Sequence, residues 1–196
     1  MNELALVGVP FPLALARSER YPVGRRAVVQ GLRTSARLAG APADLPFAEW
    51  PRDMRGAPAP VRGWHASWAD TSGLALAVVA NTPVGVDCEW LARARFEAAR
   101  TRFAESGELA LLGTHERAGV LGLWAAKEAL LKLAGVGLAD LGRCALVARQ
   151  SLEELVLRYG AREHVVRVLA CGAHVLALAT AAPCAFALHL VEPSSV

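Results

Sequence analysis

The feature that most constrains this chain is its apolar C-terminal region, Val165–Val191, in which one arginine and two histidines are the strongly polar residues. A helix that spans a bilayer needs about 20 uninterrupted apolar residues, and Gly172 and Pro183 break this run twice. Each piece between the breaks has the length of a buried β-strand, so the pattern favours core strands over a membrane span. The predicted strands are Val165–Ala170, His174–Thr180 and Cys184–Val191.

The first half of the chain is typical of a strand, a helix and then more strands. Leu4–Val9 is a short apolar run, and Val23–Leu38 is a helix candidate rich in arginine and alanine, which Gly40 ends. The stretch 41–63 contains five prolines and predicts an irregular connection. The remaining elements are the strands Ala75–Ala80 and Val84–Glu89, joined by a turn at Asn81–Pro83.

The second half begins with helices and ends with strands. Helical patterns cover Leu91–Phe103 and, more strongly, Thr114–Ala134. Thr114 is a suitable N-cap for the second helix, and Gly135 is a suitable C-terminal stop. Two further strands, Ala145–Arg149 and Leu155–Tyr159, precede the three C-terminal strands.

At 196 residues and 54% hydrophobic content, the chain can bury one compact core or two small, closely packed halves. Because each part of the sequence combines helices with later strands, we expect an α+β fold of two similar halves, residues 1–83 and 84–196. The formal net charge of +3 is too small for a protein that wraps DNA or binds membranes through a basic patch.

The four cysteines form neither a CxxC pair nor any other run with metal-ligand spacing. We therefore interpret them as reduced core residues of a cytoplasmic protein. The segment Met1–Ala16 lacks a basic leader and contains two prolines, so the sequence predicts no signal peptide.

Two carboxylates lie two positions apart on the predicted strand Val84–Glu89. Strand alternation places Asp87 and Glu89 on the same face, with Cα atoms roughly 6.5 to 7 Å apart. Paired acids suit a hard divalent cation such as Mg²⁺, which takes oxygen ligands and substrate phosphates. An isolated pair of this kind is more typical of a solvated strand face than of a metal site.

The strong helix predicted at Thr114–Ala134 contains a second group of polar residues. Trp124, Glu128 and Lys132 have the spacing i, i+4, i+8 and share one face, whereas leucine and alanine line another. The chain has no lysine other than Lys127 and Lys132. Taken alone, Glu128 and Lys132 are consistent with an ordinary stabilising helix pair.

Together these two segments resemble the signature of the 4'-phosphopantetheinyl transferase superfamily. That signature joins a VGVD-type strand and its second acid to a W-x-x-K-E-x-x-x-K helix, and here Asp87 lies 41 positions before Glu128. The resemblance implies that Asp87, Glu89 and Glu128 hold Mg²⁺ against the diphosphate of coenzyme A. It also implies that Lys132 contacts the phosphates, with Lys127 of the same motif as a second coenzyme-binding residue.

The resemblance implies a reaction in which a serine of an acyl or peptidyl carrier protein attacks the β-phosphorus of coenzyme A and 3',5'-ADP leaves. The long, surfactin-synthetase-activating members are monomers of two halves related by pseudo-two-fold symmetry, and 196 residues suffice for both. We therefore expect a monomer that binds coenzyme A between its halves, without nucleic-acid or membrane partners. Two alternatives stay open, a degenerate relative that binds coenzyme A or a carrier protein without efficient turnover, and an unrelated Mg²⁺-dependent phosphotransfer enzyme.

Three further segments resemble family elements less specifically. Arg25 and Arg26, at the start of the alanine-rich helix, resemble the basic element that receives the 3'-phosphate of coenzyme A, although arginines on a helix face are also typical of solvated surfaces. Arg102–Phe103 and the following Glu108 resemble an R-F pair with an acid, which makes Glu108 a candidate general base or else a surface glutamate. Gly135–Leu138 resembles a G-x-G-L turn that shapes the loop beside the site.

The match fails at two upstream positions. Residues 56–60 and 66–71 resemble the G-K-P and S-x-S-H-S elements of the family, but Ala57 replaces the lysine and Asp70 replaces the histidine. An aspartate beside a diphosphate repels it unless the carboxyl group is protonated or faces a metal ion. His65 reaches the histidine position only through a shift of register, so Asp70 is the residue expected at the coenzyme.

Overall fold

The computed structural model describes residues 3–13, 15, 17–93, 96, 100 and 104–193. The helices described over their full length are α1 (Arg17–Leu38), α2 (Ser106–Leu112) and α3 (Arg117–Leu133), followed by a 3-10 helix, Leu138–Arg143. The strands are β1 (Leu4–Pro10), β2 (His65–Thr71), β3 (Leu74–Ala80), β4 (Val84–Trp90), β5 (Cys144–Arg149), β6 (Glu154–Tyr159), β7 (Arg162–Cys171), β8 (His174–Thr180) and β9 (Phe186–Leu190). None of the described helices has the length and hydropathy needed to cross a bilayer.

The strands form two sheets, so the α+β class is confirmed. The first sheet has the order β2-β3-β1-β9 and is antiparallel except for the parallel pair β1 and β9. The second sheet has the order β4-β8-β7-β6-β5 and is antiparallel throughout. Strand β9, near the C-terminus, therefore pairs with β1, near the N-terminus.

The helices and sheets form four layers. Helix α1 covers one face of the first sheet, α3 covers one face of the second, and the two remaining sheet faces pack against each other. Along β3, Ala75, Ala77 and Val79 contact the α1 side, whereas alternate residues contact the second sheet. Because both of its faces are covered, β3 is apolar along its whole length.

The predicted strands are confirmed, with ends that differ by at most three residues. Three of the described elements were not predicted, the edge strand β2, the short helix α2 and the 3-10 helix Leu138–Arg143. The irregular connection at 41–63 is confirmed as turns with two isolated bridges. All four cysteines are free, as the sequence predicts. Their predicted place in the core is confirmed for Cys88 and Cys144 and is wrong for Cys171 and Cys184, which are only half-buried.

The helix ends differ from their predicted positions. Helix α1 begins at Arg17 rather than Val23 and continues through Pro22. The predicted N-cap at Thr114 is wrong, because Glu116 occupies the N-cap position of α3, without a capping hydrogen bond from its side chain. The Thr114 hydroxyl accepts a hydrogen bond from the Glu116 backbone nitrogen at 3.1 Å. The predicted stop after α3 is confirmed, since the glycine there has a φ of 66°.

The predicted helix Leu91–Phe103 is described only in part. Leu91 and Ala92 lie in a turn, Phe96 and Arg100 are helical, and most of the remaining positions, including the Arg102–Phe103 pair, lie outside the described residues.

A candidate metal centre between β4 and α3

Strand β4 and helix α3 approach each other very closely at Gly85. A Cβ atom on Gly85 would overlap the carbonyl oxygen of Ala129 and would lie 2.5 Å from the backbone nitrogen of Leu133. Both obstacles are helix backbone, so glycine is the residue that lets the helix lie directly on the strand. This close contact determines how near the acidic side chains of the two elements come to each other.

The three carboxylates predicted to hold a metal converge at this contact. Val84, Val86 and Cys88 face the first sheet. Because side chains alternate along a strand, Asp87 and Glu89 lie on the opposite face of β4, which packs against α3. One carboxylate oxygen from each of Asp87, Glu89 and Glu128 lies within 4.8 Å of the others. Only 5% of Asp87 and 6% of Glu89 is exposed. Clustered oxygen donors are the ligands that hard divalent ions prefer, so the triad could hold a metal such as Mg²⁺.

The electrostatics of the triad favour a bound cation. Burial and the charge of Asp87 together raise the pKa of Glu128 to about 7, against the opposing effect of Lys132. Burial also raises the pKa of Asp87, against the opposing effect of Lys132. Like charges in a poorly solvated place favour protonation, whereas a divalent ion among them favours the ionised carboxylates.

Each acid of β4 also has a basic partner in the protein. Glu89 forms an ion pair with Arg93, four residues later and beyond the end of the strand. Asp87 Oδ1 accepts a hydrogen bond from Lys132 Nζ at 2.8 Å. The sequence reasoning missed Arg93, although a basic residue three positions after the end of an acidic strand was a usable signal.

Lys132 also contacts both sheets through the backbone. Its Nζ donates to the carbonyl oxygens of Val86 at 2.9 Å and of Trp68 at 3.2 Å. Burial lowers the pKa of Lys132, but Asp87 and Glu128 outweigh that effect and raise it overall. The ammonium group therefore stays charged at neutral pH between β2, β4 and the acidic triad.

Glu108 and Lys127, predicted as base and coenzyme ligand, form a buried ion pair. Lys127 Nζ lies 2.5 Å from Glu108 Oε2, and both residues are at least nine-tenths buried. The same oxygen accepts a hydrogen bond from the backbone nitrogen of Glu105, which completes a capping box at the start of α2. Glu108 Oε1 accepts a hydrogen bond from the backbone nitrogen of Leu146 at 2.8 Å. The ion pair therefore joins α2, α3 and β5. The sequence reasoning missed the E-x-x-E capping box, Glu105 to Glu108, that indicates the start of α2.

The coenzyme-binding residues predicted in the first half lie on α1 and β2. Arg25 donates to the carbonyl oxygen of Ala48, while Arg26 is exposed, and both line a groove of about 880 Å³. Asp70 is exposed, and its Oδ2 would lie 3.2 Å from a Cβ atom on Gly24. Asp70 therefore lies against α1 and is not one of the three converging acids.

A cavity of about 450 Å³ lies where β2, the 52–60 loop and the turn after α3 meet. Its lining includes four basic side chains, those of Arg52, Arg55, His65 and Lys132. The acid in the lining, Asp53, accepts hydrogen bonds from the backbone nitrogens of Arg55 and Ala57. Burial lowers the pKa of His65. The charge of the lining suits an anionic ligand, and sequence reasoning missed Arg52 and Arg55 although they precede the family-like 56–60 segment.

Comparison with known proteins gives one family match. Residues 83–179 match the profile of the family described as the 4'-phosphopantetheinyl transferase superfamily. The matched segment runs from β4 to β8 and contains the acidic triad and both lysines. No curated protein matches the chain.

Proposed function

We propose that the chain transfers the phosphopantetheine arm of coenzyme A to a carrier-protein serine, because residues 83–179 match the 4'-phosphopantetheinyl transferase superfamily, an enzyme family. The reaction is Mg²⁺-dependent and releases 3',5'-ADP. The observation that supports it most strongly is the convergence of Asp87, Glu89 and Glu128 within 4.8 Å inside the matched segment. A family match without converging carboxylates would give the proposal no metal site.

The three acids have separate parts in the proposed site. Strand β4 positions Asp87 and Glu89. Helix α3 positions Glu128, and Gly85 allows this helix to pack directly on β4. When bound, Mg²⁺ would neutralise charge on the diphosphate oxygens and so stabilise the displacement at phosphorus. The three carboxylates would hold the ion, and their burial would exclude water from one side of it.

We propose that coenzyme A binds between the two halves of the protein. The basic lining of the 450 Å³ cavity, which includes Lys132, supports this position. Arg25 and Arg26 are proposed to contact the 3'-phosphate, and Asp70 to lie near the diphosphate. Arg52 and Arg55 place cations beside Ala57, where the family has its lysine.

Glu108 is the proposed base for the serine proton, with Lys127 as a further coenzyme contact. The hydrogen bonds of Glu108 compete with that role, because each of its oxygens already accepts from a protein donor. To act as a base, Glu108 would have to give up its bond with Lys127 or with a backbone nitrogen. The contacts of the pair favour a structural contribution, and a metal-bound water is the other candidate for proton removal.

We also propose the long, surfactin-synthetase-activating architecture, a monomer of pseudo-two-fold halves at residues 1–83 and 84–196. Support comes from the packing of one long helix on one sheet in each half, α1 on the first and α3 on the second. Strand β9 is the part of the second range that pairs in the first sheet.

The proposal is tested by replacing the carboxylates without changing their size. D87N and E128Q should each lower the loading of an apo carrier protein by about 100-fold or more, because each removes a charged ligand of the proposed ion. Conversion of apo to holo carrier is followed by mass in the presence of coenzyme A and Mg²⁺. D44N, which changes an exposed acid paired with Arg62, is the matched control and should load normally.

Wild-type turnover in both D87N and E128Q would remove the proposed metal site. Circular dichroism of each variant shows whether a loss of turnover comes from unfolding instead.

The absence of the family lysine and histidine at Ala57 and Asp70 favours one second candidate, a relative that binds coenzyme A without efficient transfer. Such a protein would bind coenzyme A in calorimetry but release no 3',5'-ADP with any of several apo carriers. The transferase proposal expects both binding and release.

A further inference from the structure

Arg93 is a partly exposed cation beside the buried acidic triad. Its Nη1 forms an ion pair with Glu89 Oε1, and 42% of its side chain is exposed, against 8% for that of Glu89. Arg93 also acts on a second acid, because its charge opposes the increase in the pKa of Glu128. Its guanidinium group therefore interacts with two of the three carboxylates that could hold a metal.

The turn after β4 fixes the backbone that carries Arg93. The Arg93 backbone nitrogen donates to the carbonyl oxygen of Trp90 at 3.0 Å, and the Leu91 nitrogen donates to that of Ala173 at 2.9 Å. Arg117, the first residue of α3, donates to the carbonyl oxygen of Leu91 at 3.2 Å. Because the turn is held both by the β7–β8 connection and by α3, the ion pair forms on a backbone that is already ordered and costs less conformational entropy.

The guanidinium group and a divalent ion would compete for the same negative charge. Arg93 stabilises the ionised carboxylates in the absence of a metal, and a bound metal ion would repel it. Since Glu89 is buried, salt and water screen this repulsion less than they would at an open surface. A metal ion that is bound to a diphosphate brings negative charge with it, and a guanidinium group attracts that charge.

We infer that Arg93 is the internal counter-ion of the triad, which weakens the binding of a bare divalent ion and makes the site selective for a metal ion that carries a diphosphate. The residue determines which form of the metal binds. The preference for a diphosphate rests on the proposed function, whereas the competition with a bare ion rests only on the charges beside Glu89.

An opposite role for Arg93 is testable in the same measurement. A side chain that holds a metal ligand in the correct orientation increases metal affinity, and its loss weakens binding about 10- to 100-fold. Strand β4 and the burial of Glu89 already restrict that carboxylate, so the repulsion between the two cations should outweigh any loss of orientation. The two roles therefore predict changes of opposite sign when Arg93 loses its charge.

The experiment measures the binding of Mn²⁺ alone at pH 8, where Glu128 is ionised, from the electron paramagnetic resonance signal of the free ion. In R93Q the dissociation constant should fall about tenfold, because the competing charge is removed. R93K keeps the charge and should bind Mn²⁺ like the wild type. R158Q removes an exposed arginine of β6 and is the matched control for net charge, so it should also bind like the wild type.

The same titration with saturating coenzyme A tests the selectivity. The diphosphate supplies charge that Arg93 attracts, so the advantage of R93Q over the wild type should disappear. An advantage of about tenfold that persists with the coenzyme would show that Arg93 does not distinguish the two forms of the metal.

Weaker binding of Mn²⁺ alone to R93Q would overturn the inference and make Arg93 an orienting partner of Glu89. Equal tightening in R93Q and R158Q would show an effect of net charge alone. R93M is a second neutral variant if R93Q does not fold.

A failure of the proposed function would be recognised separately. Wild-type protein that binds no coenzyme A and loads no carrier contradicts that proposal, whereas the titration with Mn²⁺ alone still decides whether Arg93 competes with a metal ion.

Discussion

The long helices α1 and α3 each contact a sheet through a glycine, but the glycine lies on a different partner in each contact. At the α1 contact the glycine is on the helix, where a Cβ atom on Gly31 would lie 2.9 Å from the Cβ atom of Ala77. At the α3 contact the glycine is on the strand, at Gly85, under the helix backbone. The α1 contact buries the neutral hydroxyl of Ser35, and the α3 contact buries the carboxylate of Asp87.

The difference lies in how the buried polar groups are satisfied. Ser35 donates to the carbonyl oxygen of Ala5 at 2.7 Å and accepts from the backbone nitrogen of Val79 at 2.8 Å. Such a group joins α1 to β1 and β3 and stabilises the fold. At the α3 contact, burial and neighbouring acids instead raise the pKa of Asp87 and of Glu128, so their arrangement costs stability in the absence of a cation. Perturbed pKa values of this kind are typical of functional sites.

The largest effect is expected from filling the two glycine positions. G85A places a methyl group against the backbone of α3, which cannot move without shifting the helix, and should lower the free energy of unfolding by about 3 kcal/mol or more. G31A meets a side-chain methyl group and gains helix propensity of about 1 kcal/mol, so its net cost should be much smaller. Urea denaturation of both variants gives the comparison.

An equal cost for the two variants would contradict the view that the α3 contact is the tighter one. Circular dichroism of G85A at low temperature distinguishes a destabilised native state from a chain that does not fold.

The acidic triad was predictable from sequence because its signals are local. Strand alternation placed Asp87 and Glu89 on one face, and the family signature linked them to Glu128. The reason for their convergence was not predictable, because it depends on which residue of β4 the helix crosses. The glycine of the VGVD motif is required by that crossing, and a single sequence does not show the crossing point.

Strand β2 and the contacts of the two lysines could not be predicted from the sequence, each for its own reason. Strand β2 mixes buried Ser67 with exposed Asp70 because it is an edge strand, so it lacks a clean alternation of apolar and polar residues. The resemblance assigned Lys132 and Lys127 to the coenzyme. Their acceptors in the structure come from distant segments, as for Trp68, which lies 64 positions from Lys132.

A smaller effect is expected when the pH changes the charge of the triad. The pKa of Glu128 is about 7 in the folded protein, above the value of about 4.5 expected when unfolded. The folded state therefore binds more protons in this interval, and the free energy of unfolding should fall as the pH rises from 4.5 to 7, by about 1 to 3 kcal/mol. E128Q should remove this fall, stabilising the metal-free protein at pH 8 and changing it little below pH 4.5.

Urea denaturation across this pH range, with E153Q as an exposed control, measures the effect. A pH dependence of E128Q equal to that of the wild type would show that Glu128 does not titrate as proposed. Addition of Mg²⁺ at pH 8 should stabilise the wild type more than E128Q, because the ion binds the ionised acids of the folded state.

The smallest effect is expected at the neutral contact. S35A leaves the Val79 backbone nitrogen and the Ala5 carbonyl oxygen without their partner and should cost about 1 to 2 kcal/mol. S18A, at an exposed position of the same helix, controls for the change in helix propensity. Because Ser35 has no charge, the cost of S35A should be the same at pH 5 and pH 8, unlike the effect of E128Q. If the cost of S35A changes with pH, the α1 contact is coupled to the acidic triad, and the two contacts are not the independent structural and chemical sites that their hydrogen bonds indicate.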